Sequence, residues 1–98
     1  MELHKVIYKV STDKDVRRVL IRLINENYSN PIERSAICRN VFESTSITTI
    51  AKGIQKAMGI PPNEWTTDTT DPWAIRICNL IDLEKRGIDP SFEDIADI

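Results

Sequence analysis

The sequence predicts a mainly α-helical protein of four to five short helices with one N-terminal β-strand. Apolar residues between positions 16 and 24 recur at the three- and four-residue spacing of one helix face. Three pairs, Asn30–Pro31, Asp71–Pro72 and Asp89–Pro90, mark helix starts, because Asn or Asp can cap the first turn and proline suits the first helical position. With 98 residues, 41% of them hydrophobic, the chain has room for one core. We therefore expect a single domain over residues 1–98.

The predicted strand comprises residues 4–11, HKVIYKVS, in which β-branched and aromatic residues predominate. Two sets of side chains alternate along it, Val6, Tyr8 and Val10 on one side and Lys5, Ile7 and Lys9 on the other. A single strand leaves its backbone N–H and C=O groups without a ladder partner. The same strand of a second copy would supply that partner, so the sequence predicts a homodimer paired through its N-terminal strands.

The first two helices are predicted from their caps and apolar stripes. The first follows Thr12 as N-cap and has a complete stripe formed by Val16, Val19, Leu20, Leu23 and Ile24. The second begins with Asn30 at the N-cap, Pro31 at the first helical position and Glu33 three residues after the cap. Its apolar set is Ile32, Ala36, Ile37, Val41 and Phe42.

The third helix carries an apolar stripe from Ile47 to Met58 and ends at Gly59. Residues 60–70 then form a polar connection rich in threonine and aspartate. The fourth helix begins at Asp71–Pro72 and ends at Gly87, after two cationic residues that suit the negative end of the helix dipole. A last short turn or helix follows Asp89–Pro90.

Charge is distributed unevenly along the chain, although its net value is only −2. Residues 1–56 contain ten Lys and Arg and six Asp and Glu, whereas residues 57–98 contain three and nine. The domain thus divides into a basic part over 1–59, the connection over 60–70 and an acidic helical part over 71–98. Such a division favours different partners for the two surfaces, and chance clustering of solvated charges is the alternative.

The sequence contains no constellation that predicts an enzyme or a cofactor. His4 is the only histidine, and no base or nucleophile can be assigned to it by spacing. The three glycines spell neither a phosphate-binding loop nor a dinucleotide fingerprint. We therefore expect a protein without catalytic residues and without a cofactor.

Metal binding, disulfide formation and membrane insertion are likewise not predicted. The carboxylates of Glu64, Asp68 and Asp71 do not follow the calcium-loop pattern, and their loop has no glycine. Cys38 and Cys78 each lie on the apolar side of a predicted helix, which favours reduced, buried thiols; a single disulfide in a secreted protein is the alternative. No signal peptide or membrane-spanning run is present, so the expected location is the cytoplasm.

The order of a lone strand, a helix, a short polar turn and a helix with an Asn-Pro start, over residues 4–43, resembles that of ribbon-helix-helix DNA-binding regulators. In that family two N-terminal strands pair into a ribbon that enters the major groove of double-stranded DNA. The resemblance implies that Val6, Tyr8 and Val10 face the core. It also implies a set of DNA-contacting residues: Lys5, Ile7 and Lys9 on the ribbon, and Asn30 and Arg34 as a phosphate anchor at the second helix.

Three alternatives accompany this hypothesis. Residues 4–11 could instead form an arm packed on a helical bundle. The segment IAKGIQKAMGIPPNEW, residues 50–65, is similar to the terminal helices of phage and bacterial helix-turn-helix regulators, with the second and third helices as the turn-joined pair. The third alternative is a protein-interaction module, such as a phage-encoded inhibitor or adaptor, that uses Trp65, Trp73 and the acidic C-terminal third.

Overall fold

The computed structural model describes residues 2–87, which form five α-helices and one 3₁₀-helix. In chain order these are α1 (Leu3–Thr12), α2 (Lys14–Asn27), α3 (Pro31–Phe42), α4 (Ile47–Ala57), the 3₁₀-helix (Pro62–Glu64) and α5 (Pro72–Lys85). The prediction of a mainly helical fold is confirmed for this part of the chain. The last turn predicted after Asp89 lies outside the described residues.

The predicted N-terminal strand is wrong, because this segment forms helix α1. The same residues that alternate also contain a helical stripe at i, i+3, i+4 and i+7, formed by Leu3, Val6, Ile7 and Val10. Three of these side chains are buried and Leu3 packs against them, so burial of the stripe outweighs the β propensity of its residues. Residues 2–87 contain no strand, and the strand pairing expected to join two copies is absent from them.

Helix α2 lies at the centre of the fold and packs against each of the other four α-helices. The apolar stripe predicted for it is confirmed, since Val16, Val19, Leu20, Leu23 and Ile24 are all buried. Helix α4 also packs on α1 and α3. Buried side chains from all five α-helices form one contiguous hydrophobic cluster, which fixes the helices relative to one another.

The predicted start of α3 is confirmed. The side chain of Asn30 accepts hydrogen bonds from the backbone N–H groups of Ile32 (2.8 Å) and Glu33 (3.4 Å), and Pro31 occupies the first turn. The cap of α2 is Asp13 instead of Thr12, because Thr12 is the last residue of α1. An aspartate at this position also places a negative charge at the positive end of the α2 dipole.

Glycines end two of the predicted helices as expected. Gly59 follows α4 with a φ of +82°, and Gly87 follows α5 with a φ of +72°. In both places the left-handed backbone conformation suits glycine because it has no Cβ. The predicted stops of these two helices are therefore confirmed.

Two isoleucines assigned to apolar stripes lie at the surface instead. Ile32 is 79% exposed and Ile47 is 43% exposed. Each occupies the first turn of its helix, α3 or α4, where the chain enters from a connection. The first turns of these two helices therefore project beyond the core.

Candidate nucleic-acid interface

Helices α3 and α4 form a pair joined by a connection of four residues, Glu43 to Ser46. Both helices pack on α2 as well as on each other. At Gly53 α4 packs tightly on α3, since a Cβ built on this glycine would stand 2.9 Å from Cγ2 of Val41. Two helices joined by a three- or four-residue turn, with a third helix behind them, are the components of a helix-turn-helix unit.

The outer face of α4, which we call the α4 face, consists of Thr48, Thr49, Lys52 and Lys56. These side chains are exposed or partly exposed, whereas the opposite side of α4 is buried. A shallow groove of about 170 Å³ runs along this face, lined by Asn40, Thr49, Lys52, Gly53, Lys56 and Trp65. The groove therefore combines two cationic side chains, a hydroxyl, an amide and an aromatic ring.

The positive charge of the α4 face lies in a stretch of sequence without acidic residues. Residues 44–63 contain Lys52 and Lys56 and no aspartate or glutamate, in a chain with fifteen acidic residues. Within residues 2–87, neither lysine forms an ion pair. Both cations are therefore available to an anionic partner.

Some cations on other helices pair with carboxylates. Lys9 of α1 pairs with Asp82 of α5 at 3.4 Å, and Lys85 of α5 pairs with Asp13 at the start of α2. The Lys85 hydrogen bond lowers the pKa of the Asp13 carboxyl, and the same contact raises the pKa of the Lys85 ammonium. These pairs tie α5 to α1 and α2.

Trp65 is placed beside the α4 face by Gln55, a side chain with no exposed surface. The Gln55 amide donates a hydrogen bond to the carbonyl of Thr66 at 2.8 Å and accepts one from its N–H at 3.0 Å. The indole N–H of Trp65 donates to the carbonyl of Ile60 at 2.8 Å. With its polar atom satisfied inside the protein, the partly exposed ring of Trp65 presents an apolar surface next to Lys52 and Lys56.

The residues predicted to contact DNA from a ribbon are distributed around helix α1. Lys5 is exposed, Ile7 is 6% exposed and belongs to the core, and Lys9 is paired with Asp82. A helix turns each successive residue by about 100°, so residues that alternate in sequence do not share a face. The expectation that Ile7 faces DNA is corrected by its burial.

The two residues expected at the phosphate anchor have structural partners. Asn30 uses its side-chain oxygen to cap α3. Arg34 donates hydrogen bonds to the backbone carbonyls of Tyr28 and Asn25, and so fastens the connection between α2 and α3. Both residues hold the start of α3 in place relative to the end of α2.

The two tryptophans have different environments. Trp73 is 3% exposed, and its indole N–H donates to the carbonyl of Asp68 at 3.0 Å. Its burial corrects the expectation that Trp73 contributes to an interaction surface. Trp65 is partly exposed on the groove of the α4 face, where it remains available to a partner.

None of the residues predicted to contact DNA lies on the α4 face. The signal that could have indicated it is the acid-free stretch over residues 44–63 with its two lysines four residues apart. That spacing places Lys52 and Lys56 on one face of a helix. Asn40 of α3 also lines the groove beside the α4 face. Its contribution depends on the packing of α3 on α4, which the sequence pattern does not show.

Residues 2–87 hold no group of three or more His, Cys, Asp or Glu side chains that could bind a metal ion. In the same part of the chain, no helix has the length and apolar character needed to cross a membrane. Cys38 and Cys78 are free thiols, each partly exposed, and burial raises the pKa of Cys78. No family model matches the chain, and comparisons with curated proteins and with solved structures returned no match.

Proposed function

We propose that this protein is a DNA-binding regulator that uses α3 and α4 as a helix-turn-helix unit, with α4 in the major groove of double-stranded DNA. The observation that carries the proposal is the α4 face, with two threonines and two lysines that form no ion pair within residues 2–87. A positive surface of this kind attracts the phosphate backbone, which supplies most of the affinity of non-specific binding.

The dimensions and chemistry of α4 suit a major groove. Its 11 residues give a helix about 16 Å long, and the groove, about 12 Å wide, admits one α-helix. Thr48 and Thr49, in the first turn, can donate to or accept from base edges, and Lys52 can reach guanine. Lys56 follows one turn later, where a phosphate contact would fix the orientation of the helix.

Helix α1 has no part in this proposal, because the ribbon route needs a strand that residues 2–87 do not contain. Lys5 therefore becomes a useful control. It is an exposed lysine in another helix, with no ion pair to the described residues. Its removal changes net charge by the same amount as removal of Lys52 or Lys56.

The test is a fluorescence anisotropy titration of a labelled duplex at several salt concentrations, for the full chain and three single variants. Each phosphate contact contributes about −0.9 to the slope of log K against log salt. Lys52→Ala and Lys56→Ala should each weaken binding, and loss of the phosphate contact of Lys56 should reduce the magnitude of that slope by about 1, whereas Lys5→Ala should leave affinity and slope unchanged.

If Lys5→Ala reduces the affinity and the slope as much as Lys56→Ala does, the assignment of the α4 face is contradicted. Absence of salt-sensitive binding to any duplex would contradict DNA binding itself. Circular dichroism of each variant excludes unfolding as the cause, and all three lysines are at the surface or partly so.

A protein-interaction module is the second candidate, and the partly exposed ring of Trp65 favours it. Tryptophan is enriched at the centres of protein interfaces, and Trp65 has no exposed polar function that would require water. Trp65→Ala separates the candidates when it abolishes capture of one stoichiometric protein partner and leaves duplex affinity and its salt slope intact. If Trp65→Ala instead weakens binding to the duplex and leaves capture of the protein partner unchanged, the result supports DNA binding.

A further inference from the structure

Two uncharged side chains line the groove beside the α4 face together with its lysines. Asn40 comes from α3, and Trp65 follows the 3₁₀-helix. We call this groove, which Lys52 and Lys56 also line, the α4 groove. Contacts to phosphates position a protein on DNA without reading its sequence, whereas amide and apolar contacts to base edges distinguish one base pair from another. Asn40 and Trp65 are therefore the side chains of this groove that bear on sequence selection.

The amide of Asn40 is available to a partner. The side chain is exposed and forms no hydrogen bond within residues 2–87. It lies directly against α4, since a Cβ built on Gly53 would stand 3.3 Å from Cβ of Asn40. Because position 53 has no side chain, this residue of α3 lines the same groove as Lys52 and Lys56 of α4.

The ring of Trp65 offers only an apolar surface to the α4 groove. Its one polar atom, the indole N–H, already donates to the carbonyl of Ile60 at 2.8 Å. The main chain of the next residue, Thr66, is held by the buried side chain of Gln55. A ring that is fixed before a ligand binds loses little conformational freedom on binding, so its apolar contact is not offset by the entropy cost of ordering it.

This pair of groups matches one kind of base pair. In the major groove adenine presents the N7 acceptor and the N6 donor, which one asparagine amide can bond together, and thymine presents a methyl group that favours apolar contact. Guanine presents two acceptors, which suit lysine or arginine, and cytosine has no methyl group. One amide and one apolar ring in the same groove therefore complement the edge of an A·T pair.

We propose that the α4 groove selects an A·T base pair. The Asn40 amide donates to N7 and accepts from the N6 amino group of the adenine, and the ring of Trp65 contacts the methyl group of the thymine. This inference rests on the proposed function, since a duplex bound by α4 brings the base pair to the groove. The phosphate contact of Lys56 contributes affinity for every duplex, so affinity and selection are carried by different side chains.

The test uses the full chain to select preferred duplexes from a random library, and then changes single atoms of the bases. 7-Deazaadenine removes the N7 acceptor of one adenine, and deoxyuridine removes the methyl group of one thymine. At one A·T pair of the selected duplex, the first change should weaken binding about fivefold, the lower end of the effect of a bidentate base contact, because the N6 bond is kept. The second should weaken it about fourfold, the effect of one buried methyl group.

Three variants assign these losses to side chains. Asn40→Ala should bind the selected and the 7-deazaadenine duplexes equally and should keep the salt slope of the parent protein. Trp65→Ala should lose its sensitivity to deoxyuridine, and the measurement on the parent protein stands even if this variant does not fold. The matched control is Asn25→Ala, which removes another exposed asparagine side chain and keeps the main-chain carbonyl that Arg34 uses; it should retain both sensitivities.

Equal losses on 7-deazaadenine for the parent protein and Asn40→Ala would overturn the assignment of Asn40. Selected duplexes without a preferred A·T pair would overturn the selection, and an unchanged affinity at every deoxyuridine would overturn the contact of Trp65. In each of these results, salt-sensitive binding of the duplex leaves the proposed function standing. The absence of salt-sensitive binding to any duplex would instead overturn the proposed function, and this inference with it.

Discussion

The side chain of Gln55 and the main chain of Thr66 form a reciprocal pair of hydrogen bonds, with N–O distances of 2.8 and 3.0 Å. The Gln55 amide also donates to the carbonyl of Ala51 at 3.1 Å. This fully buried glutamine connects α4 to the loop that follows the 3₁₀-helix. It therefore controls where Trp65 lies relative to the lysines of the α4 face.

Gln55→Leu should destabilise the protein, because leucine has a similar volume and leaves the N–H and C=O of Thr66 without these partners. Loss of partners for buried polar groups typically costs about 1–3 kcal/mol, and we expect an effect in that range from chemical denaturation. The emission of Trp65 should shift as well, since the loop loses its attachment to α4.

Thr66→Ser is the matched control for this substitution. The bonds to Gln55 involve only the main chain of residue 66, and serine keeps the hydroxyl that accepts from the N–H of Asp68. Its unfolding free energy should stay close to that of the parent protein. Equal destabilisation by the two variants would show that the loop depends on the threonine methyl group and that the Gln55 pair contributes little.

Gly53→Ala should also destabilise the protein, although alanine favours a helix by about 1 kcal/mol over glycine. The added Cβ would stand 2.9 Å from Cγ2 of Val41 and 3.3 Å from Cβ of Asn40, so α3 and α4 would have to separate. Overpacking of this kind costs about 1–3 kcal/mol, which exceeds the gain in propensity.

A double-mutant cycle with Val41→Ala tests the cause of that loss, because alanine removes the methyl group that the new Cβ would meet. The double variant should be more stable than the sum of the two single effects indicates. Strict additivity would show that Gly53 and Val41 do not restrict each other.

The pair formed by Asp13 and Lys85 should contribute a pH-dependent increment of stability. The hydrogen bond to Lys85 lowers the pKa of Asp13, so this contribution is present above the unfolded pKa, about 4, and is lost as the pH falls through the folded value. The pKa of Lys85 is raised by the same contact, so its contribution is lost as the pH rises through the folded value of that group.

Asp13→Asn isolates this increment, because the amide oxygen can still accept from the N–H of Asp15 and cap α2. Thermal melts should show the parent protein more stable than the variant at neutral pH, and the difference should vanish in acid, below the folded pKa of Asp13. The difference is small because Lys85 is at the surface and the pair is screened by water. A gap that persists unchanged into acid would contradict the ion-pair origin.

The two tryptophans should respond differently to a soluble quencher. Trp73→Phe leaves the partly exposed Trp65, whose emission should be quenched steeply by acrylamide and protected by bound duplex. Trp65→Phe leaves Trp73, which is 3% exposed, and its emission should be quenched weakly with or without DNA. Equal quenching in the two variants would contradict the environments described for these rings.

The helix starts and the central core could be predicted from local chemistry. The side chain of Asn30 caps α3, and the proline that follows it suits the first turn. Both features that mark this helix start lie within three residues. The apolar stripe of α2 could be predicted because its periodicity is purely helical, and the burial of its side chains confirms it. By contrast, residues 3–12 satisfy the strand period and the helix period at once, so only the burial of Val6 and Ile7 against other helices decides between them.

The candidate site depends on tertiary packing that a one-dimensional pattern does not contain. Lys52 and Lys56 have the spacing of one helix face, which is visible in the sequence. The contributions of Asn40 and Trp65 arise because α3 packs on α4 and because Gln55 holds the following loop. A buried glutamine is uncommon and has no sequence signature, since the partners that hold the loop are main-chain atoms of Thr66, eleven residues away.

The most direct test of the proposed function is a titration of the ¹⁵N-labelled full chain with an unlabelled duplex, followed by amide chemical shifts. We expect the largest shifts at residues 44–56, which comprise most of α4 and its preceding turn, with further shifts at Asn40 and Trp65, and we expect Lys52→Ala to reduce them. Shifts concentrated on α1 or α5 with α4 unaffected would contradict it, as would the absence of any shift at low salt.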